Sequence, residues 1–274
     1  MKLTARRASL ARSAPQLKPR PLGSNTHLDT DNVKLNEVSA PTALFFLILA
    51  MSPTRDAHGQ ASPLNATLLR AAVDTVAVTV EMPGRVVPFA TAIESLRRVR
   101  RAGRDAWEQS YQWFGNDGSR TADTLWFDAV TLVPLENHRH NGAHDATTIF
   151  RPSGASTRLT PRGGSEQVSD TSVAGPLFAS GEFAALIRSA PLSDAFATTY
   201  ALYYGPPRAS VRPGPFRVVR SETIKSRSGM AVECWVVDAA LSEGLNTFYI
   251  SKADRRVVRL VNHEDPNAAF VFTR

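Results

Sequence analysis

The stretch Ala106-Trp-Glu-Gln-Ser-Tyr-Gln-Trp-Phe114 decides the fold, because its side chains alternate with the period of a β-strand. Four of them share one face of that strand: Trp107, Gln109, Tyr111 and Trp113. The following Gly115-Asn-Asp-Gly118 has the composition of a turn, and Thr121-Ala-Asp-Thr-Leu-Trp-Phe-Asp-Ala-Val130 has that of a second strand. These residues therefore predict an antiparallel hairpin.

The same alternation continues on both sides of this hairpin. Further strands are predicted at residues 74–80, 91–101, 135–140, 145–151, 196–204, 216–225, 230–239, 245–250 and 256–263. Short loops join most of them, which is typical of antiparallel neighbours. The Ser-, Thr-, Gly- and Pro-rich residues 153–174 are predicted to be a loose surface excursion.

One segment has helical rather than strand character, Ser180-Gly-Glu-Phe-Ala-Ala-Leu-Ile-Arg-Ser189. Ser180 is the predicted N-cap, and Pro191 ends the helix. Phe183, Leu186 and Ile187 form one apolar face that suits packing on a sheet. The predicted fold is therefore mainly β (α+β), with residues 62–274 as a single domain: one curved antiparallel sheet (half-barrel) covered by one short helix.

Residues 1–61 are predicted to be a disordered leader that contains a secretory signal. The longest apolar run, Ala43-Leu-Phe-Phe-Leu-Ile-Leu-Ala-Met51, would span roughly 14 Å as a helix, too short for a bilayer. It fits the h-region of a signal (residues 41–51) cleaved near Ala61; a buried core helix is the alternative. We expect a periplasmic or secreted protein with no transmembrane span in its mature form.

The charge distribution argues against nucleic acid as a partner. The chain carries a formal net charge of +7, but residues 1–61 hold eight basic and four acidic side chains, which leaves +3 for the remainder. A nucleic-acid interface would need the positive charge on the folded part. We therefore expect no nucleic-acid partner.

Four segments resemble a family of exported bacterial proteins of unknown function. Asp123-Thr-Leu-Trp-Phe-Asp-Ala-Val-Thr-Leu-Val-Pro134 resembles the family's "D-T-x-x-x-D-x-x-T-L-x-P" pattern, and the end of the helix, Ala190-Pro-Leu192, resembles that of the family helix. Cys234-Trp-Val-Val237 and Thr247-Phe-Tyr-Ile-Ser-Lys-Ala-Asp-Arg-Arg-Val-Val-Arg259 resemble its closing strands. Those proteins are similar to half-barrel lipoprotein carriers of the LolA and LolB type. The resemblance implies a fold and supplies no catalytic residues.

The sequence contains none of the common catalytic or nucleotide-binding signatures: no GxSxG elbow, P-loop, GxGxxG or HExxH. The single cysteine, Cys234, lies in a strand with Val232 and Val236 on the same face, which indicates a core thiol; a catalytic nucleophile is the alternative. No catalytic residue and no cofactor are therefore expected.

A histidine-rich hairpin is the one candidate metal site. A two-residue turn at Asn141-Gly142 would pair His138 with Asp145 and leave His140 on the same face, so the three side chains are weak candidate zinc ligands. Exposed strand histidines beside a turn are the simpler interpretation.

Aromatic and helix residues outline a candidate ligand groove. A half-barrel covered by one helix can enclose a concave, partly solvated space that binds apolar ligands through buried area, without catalytic residues. The groove residues are Trp107, Tyr111, Trp113, Phe183, Leu186, Ile187 and Trp235. Ordinary close-packed core is the alternative for all of them.

A basic run, Arg97, Arg98, Arg100 and Arg101, admits two interpretations. The charges can protect a solvated strand edge from pairing, or they can contact anionic lipid headgroups.

Three functions remain open. The first is a non-enzymatic exported binder or carrier of lipid or other apolar molecules at the cell envelope. The second is a structural or assembly protein of the envelope that binds a polypeptide partner. The third is a zinc-dependent enzyme.

Overall fold

The structure is a computed structural model that describes residues 63–206, 209–241, 244–265 and 267–274. The predicted leader, with its h-region at 41–51 and its cleavage near Ala61, lies outside the described residues. The described part is mainly β, with one α-helix, α1 (Phe183–Ser189), preceded by a 3₁₀ turn at Ser180–Glu182; a second 3₁₀ turn lies at Ala66–Leu68.

Fifteen strands make up the sheet. They are β1 (Ala72–Met82), β2 (Arg85–Arg101), β3 (Arg104–Gly115), β4 (Arg120–Asp128), β5 (Pro134–Asn141), β6 (His144–Arg151), β7 (Gly154–Pro161), β8 (Gln167–Ser172), β9 (Leu177–Ala179), β10 (Ala197–Tyr204), β11 (Ser210–Lys225), β12 (Ala231–Leu241), β13 (Gly244–Ser251), β14 (Val257–Asp265) and β15 (Ala268–Thr273).

All fifteen strands form one sheet, in the order β8-β7-β6-β5-β4-β3-β2-β1-β15-β14-β13-β12-β11-β10-β9. Strands β1 to β8 follow one another from the centre of the sheet to one edge, and β9 to β15 run from the other edge back to the centre. The first and last strands, β1 and β15, therefore pair with each other, with Thr79 opposite Val271. Among the described strands, only the β9–β10 pair is parallel. The predicted single antiparallel sheet is therefore confirmed.

The hairpin predicted from residues 106–130 is present as β3 and β4, with Trp107 opposite Phe127 and Trp113 opposite Thr121. Residues 91–101, predicted as a strand, belong to β2, which pairs with β3 across Ala102-Gly103. Both turn residues have positive φ, 49° and 79°, as a tight hairpin turn requires.

The sheet curls until its two ends meet through side chains. The Tyr203 hydroxyl on β10 lies 2.6 Å from the Thr157 hydroxyl on β7, which lies 2.8 Å from the Thr148 hydroxyl on β6. The Tyr203 ring also packs edge-on against Phe150, with ring centroids 5.7 Å apart. These contacts, which we call the seam, join strands from opposite ends of the sheet.

The prediction of a loose excursion at residues 153–174 is wrong, because this segment forms β7 and β8. Its Ser and Thr residues resemble a loop in composition, yet Gly154 to Pro161 pair with β6 over eight positions. Thr157 is 1% exposed and is satisfied by the seam hydroxyls, so a polar strand is stable here.

Helix α1 fills the interior of the curled sheet, as its apolar face predicts. Phe183, Leu186 and Ile187 are fully buried in a core that draws side chains from both halves of the sheet, among them Leu96, Trp107, Phe127, Phe216, Val237 and Phe248. Gly214 on β11 leaves room for this core, because a Cβ there would lie 2.2 Å from Leu202 Cδ1 and 3.1 Å from the Phe183 ring.

The predicted N-cap is wrong, because Ser180 lies inside the 3₁₀ turn and α1 begins at Phe183. The side chain of Glu182 takes over the capping role: its Oε1 accepts a hydrogen bond from the Ala179 backbone N–H at 2.7 Å. Pro191 does follow the helix, whose C-cap is Ala190.

Candidate functional site: a cavity beside the helix

A cavity of about 320 Å³ lies between helix α1 and the inner face of the sheet. Its volume is that of a small-ligand site, with room for about ten waters. The apolar part of its wall comes from β4, α1, β12, β13, β14 and β15: Leu125, Phe183, Ala184, Leu241, Phe248, Val257, Leu260 and Phe272.

Small helix residues create this space. Gly181 and Ala184 line the cavity, whereas Leu186 and Ile187 fill the core. Because positions 183, 186 and 187 share one side of the helix, the side that carries Ala184 faces away from the densest packing. The helix thus covers one part of the inner face tightly and leaves another part open.

The polar part of the wall contains two ion pairs. Arg139 Nη2 lies 2.7 Å from Asp123 Oδ2, and Asp123 also accepts a hydrogen bond from the side chain of Asn137. On the other side of the cavity, Arg274 Nη2 donates to Glu94 Oε2. These groups, with Gln109, Tyr111 and Asn246, give the cavity a mixed lining.

Burial changes the acid–base behaviour of Tyr111 on this wall. Loss of hydration, with the nearby negative charge of Glu94, raises the pKa of the phenol well above its ordinary value. Tyr111 is therefore a neutral hydroxyl across the whole physiological range.

A second, smaller cavity of about 40 Å³ adjoins the first and shares Glu94, Gln109, Ala184, Val257 and Arg274 with it. Charged side chains dominate its lining. Arg256 donates to Asp74, and Arg274 Nε lies 3.9 Å from the other oxygen of that carboxylate. Arg188, from the last turn of α1, completes the wall.

Two of the predicted groove residues, Tyr111 and Phe183, line the larger cavity. Trp107, Leu186 and Ile187 are instead part of the filled core, and Trp113 packs against Phe272, with ring centroids 6.4 Å apart and the rings tilted by 50°.

Trp235 packs at the edge of the core, where the Arg255 guanidinium lies 4.4 Å from its ring centroid. Neither cavity is lined by Trp235. Tyr111 on β3 and Phe183 on α1 thus border the cavity, and the other five residues of the predicted groove do not line it.

The charged cavity residues were not predicted. Glu94, Asp123 and Arg139 occupy inward positions of β2, β4 and β5, because they lie in one cross-strand row with Tyr111. Arg274 directly follows β15 and lines the same cavity. One signal in the sequence could have identified them: Asp123 lies two positions before the inward-facing Leu125, so it shares the inner face of β4. Charge at a core position of a strand indicates either pairing or function.

The candidate metal ligands do not come together. Asn141 closes the turn by accepting hydrogen bonds from the N–H groups of Ala143 and His144, at 2.8 and 2.9 Å, so the turn residues are Gly142 and Ala143. His140 is therefore opposite Asp145, and the predicted pairing of His138 with Asp145 is wrong.

Each candidate histidine has its own acidic neighbour. His138 Nε2 lies 2.5 Å from Glu136 Oε1, and His140 bonds to Asp145. Within the part of the chain that the structure describes, no group of three or more His, Cys, Asp or Glu could hold a metal ion.

Cys234 is fully buried, as expected for a core thiol. Burial raises the pKa of this thiol to about 11, so it is protonated at neutral pH. Its Sγ lies 3.6 Å from the Val232 carbonyl oxygen.

The basic run is not a strand edge, because β2 lies between β1 and β3. Arg97 pairs with Glu108 at 2.7 Å and Arg101 with Glu136 at 2.6 Å, both on the outer face. The Arg101 guanidinium also lies 4.3 Å from the Trp126 ring centroid, and Trp126 Nε1 donates to Glu108 at 2.9 Å. We call these five residues the outer-face network.

Two depressions on the outer side, of about 490 and 500 Å³, are larger than the inner cavity. Their walls come from β6, β7 and the adjoining turns and consist mostly of polar, exposed side chains such as Asp145, Arg158 and Thr160. A ligand site normally buries most of its ligand against apolar groups, so the inner cavity is the better candidate. No helix within the described ranges combines the length and apolar character needed to cross a bilayer.

A curved antiparallel sheet that encloses a helix and a part-apolar cavity defines the class of this protein. The family model "Protein of unknown function (DUF3108)" matches residues 75–273, and the chain belongs to that family. No curated protein matches the sequence.

Among solved structures, a "Beta-barrel-like Protein of Domain of Unknown Function DUF1849 from Brucella abortus" is similar, with a TM-score of 0.46 and 8% identity over 73% of this chain and 95% of that one.

Proposed function

We propose that this protein is a non-enzymatic binder or carrier of lipid or other apolar ligands at the cell envelope. The observation that carries the proposal is the cavity of about 320 Å³ beside α1, with eight apolar side chains in its wall. Burying an acyl chain there would contribute about 0.8 kcal/mol per CH₂ group. The resemblance to half-barrel lipoprotein carriers points in the same direction.

The test fills the cavity and measures binding of the neutral fluorophore N-phenyl-1-naphthylamine. Ala184 lines the cavity, so Ala184→Phe would occupy the space with little effect on the surrounding core. The matched control is Ala231→Phe, at an exposed position at the start of β12. We expect wild type and control to bind the probe and Ala184→Phe to lose binding; equal binding by all three would contradict the proposal.

Mass spectrometry of the protein purified without detergent addresses the natural ligand. A co-purifying lipid supports the carrier function, whereas a co-purifying polypeptide supports the alternative, an envelope assembly protein. One observation favours that alternative: β8 pairs with β7 alone among the described strands, and five of its six residues are exposed. Such an edge can accept a strand from another chain.

We propose export to the periplasm or beyond the cell as part of the same function, on the basis of the apolar run at residues 41–51. Deletion of residues 41–51 should leave the protein in the cytoplasm. Fractionation of cells that express either form measures this, and normal export of the deleted form would refute the proposal.

A further inference from the structure

The smaller cavity is lined by Arg188, and one nitrogen of this guanidinium has no hydrogen-bond partner among the described residues. Arg188 donates through Nε to the Arg255 backbone carbonyl at 2.8 Å, which fixes the guanidinium inside the molecule. Its Nη2 is buried and has no hydrogen-bond partner among the described residues. Buried N–H groups are almost always satisfied, so this donor requires an explanation.

The charges around Arg188 do not balance. Asp74 binds Arg256 and Glu94 binds Arg274, and these two pairs neutralise each other. Farther out, the exposed Asp254 also attracts Arg188, but its carboxylate lies in solvent and accepts a hydrogen bond from the Arg256 backbone N–H at 3.1 Å. The remaining charge is that of Arg188, and together these residues form the inner charged cluster: Asp74, Glu94, Arg188, Arg256 and Arg274.

Arg188 remains charged although its side chain is partly buried and its Nη2 fully so. Loss of hydration, with repulsion from Arg274 and Arg256, lowers the pKa of its guanidinium to about 10. The group is therefore protonated at neutral pH, and an uncompensated buried cation is unfavourable. A bound anion would remove this penalty and accept the free Nη2–H.

The position of the cluster connects it to the larger cavity. Ala184 and Arg188 lie one helical turn apart on the same side of α1, and Ala184 lines both cavities. Gln109, Val257 and Arg274 are also shared between the two walls. A single ligand can thus place an apolar chain in the larger cavity and a polar head in the smaller one.

We propose that the ligand has an anionic head, a carboxylate or a phosphate, on an apolar chain, and that Arg188 binds this head inside the sheet. This inference rests on the proposed function and adds the chemical class of the ligand. The two head types share the chemistry that a guanidinium recognises, so separate ligands distinguish them.

The first experiment uses the unmodified protein and four twelve-carbon ligands that displace N-phenyl-1-naphthylamine: laurate, dodecyl phosphate, dodecanol and dodecyltrimethylammonium. We expect at least one of the two anions to bind tenfold or more tightly than dodecanol, and the cation to bind most weakly. The tighter anion identifies the head as carboxylate or phosphate. Equal displacement by all four would overturn this inference and leave the proposed function standing, whereas failure of the probe itself to bind would remove both.

The second experiment changes Arg188. Arg188→Gln should weaken binding of the preferred anion at least tenfold and leave dodecanol affinity unchanged, and Arg188→Lys, which retains the charge, should restore part of the loss. The control is Arg97→Gln, which removes an arginine from the outer face of the same sheet. Equal weakening of anion and alcohol by Arg188→Gln, or unchanged anion binding, would overturn the inference. If Arg188→Gln does not fold, the Arg188→Lys variant and the four-ligand comparison decide the question.

Discussion

Strands β2 to β5 carry similar side chains on their two faces but arrange them differently. On the outer face, Arg97 pairs with Glu108 at 2.7 Å and the arginine side chain is 65% exposed. On the inner face, Arg139 pairs with Asp123 at the same distance, with 31% and 18% of the two side chains exposed. Glu108 itself is only 15% exposed, so the faces differ in their arginines: those of the outer pairs extend into solvent, whereas Arg139 borders a cavity.

This difference separates surface chemistry from a candidate site. Exposed ion pairs contribute little to stability and need no further partner. Buried charges are unfavourable unless matched, and here the inner charged cluster contains one cation more than its carboxylates neutralise. The inner face therefore has the properties expected of a binding site, and the predictions below test each face in turn.

The largest effect is expected where helix α1 fills the inner face. Phe183→Ala should lower the free energy of unfolding by about 3–5 kcal/mol, because the Phe183 ring packs 5.6 Å from Phe216 and 6.2 Å from Phe248. The same change enlarges the adjacent cavity, so binding of an apolar probe should persist at a temperature where the variant is folded.

Leu186→Ala is the matched control for Phe183→Ala, because Leu186 is fully buried and does not line the cavity. Leu186→Ala should lower the free energy of unfolding by about 2–5 kcal/mol and leave the affinity for the probe unchanged. Urea unfolding and probe titration measure both variants. A loss below about 1 kcal/mol for Phe183→Ala would mean that the core is loosely packed, contrary to this prediction.

The next effect depends on pH and concerns the buried acid at the start of α1. Burial raises the pKa of Glu182 well above its ordinary value, and its Oε2 has no partner among the described residues. Between the unfolded and the folded pKa, the unfolded chain releases a proton that the folded protein keeps, so stability falls as pH rises.

Glu182→Gln removes this titration and retains an oxygen that can accept from Ala179 N–H. We expect the variant to have nearly the same free energy of unfolding as the wild type at pH 4, and one higher by about 1–3 kcal/mol at pH 8. Unfolding curves across this range check the trend, with Glu222→Gln on the outer side as a control that should show no such rise. A gain that is constant with pH would contradict the prediction.

The sequence predicts those parts of the inner face that come from one short segment better than those that come from strands far apart in the chain. The β3–β4 hairpin and the apolar side of α1 follow from patterns within about ten residues. The inner charged cluster depends on the pairing of β1 with β2 and β15, which brings Asp74 and Glu94 next to Arg274. No local pattern specifies that pairing, so Arg188 could only be predicted as a favourable charge at a helix end.

Two errors have similar physical causes. A Thr-rich strand such as β7 resembles a loop until the seam hydroxyls satisfy it. In the His-rich hairpin, the side chain of Asn141 moves the turn by one residue through two backbone hydrogen bonds, and a one-residue shift changes every cross-strand pair.

A smaller effect is expected at the seam. Tyr203→Phe keeps the ring contact with Phe150 and removes the hydroxyl that bonds Thr157, whose own hydroxyl retains Thr148 as a partner. We expect the free energy of unfolding to fall by about 1 kcal/mol, the net contribution of one hydrogen bond. Thermal unfolding measures it, and a loss above about 3 kcal/mol would show that the seam closes the sheet cooperatively.

The smallest effect is expected on the outer face, and it tests the comparison most directly. Arg97→Gln removes an exposed partner of Glu108, whose other oxygen still accepts from Trp126 Nε1 at 2.9 Å. Solvent screens such a pair, so the loss should be at most about 1 kcal/mol and should shrink further in high salt. Arg139→Gln, the equivalent change on the inner face, leaves Asp123 beside the cavity with Asn137 as its remaining side-chain partner. It should therefore cost more than Arg97→Gln and depend less on salt, because its pair is more buried. If urea unfolding at low and high salt gave the same loss for both variants, the two faces would be energetically alike, and burial of charge could no longer distinguish the inner face as the binding site.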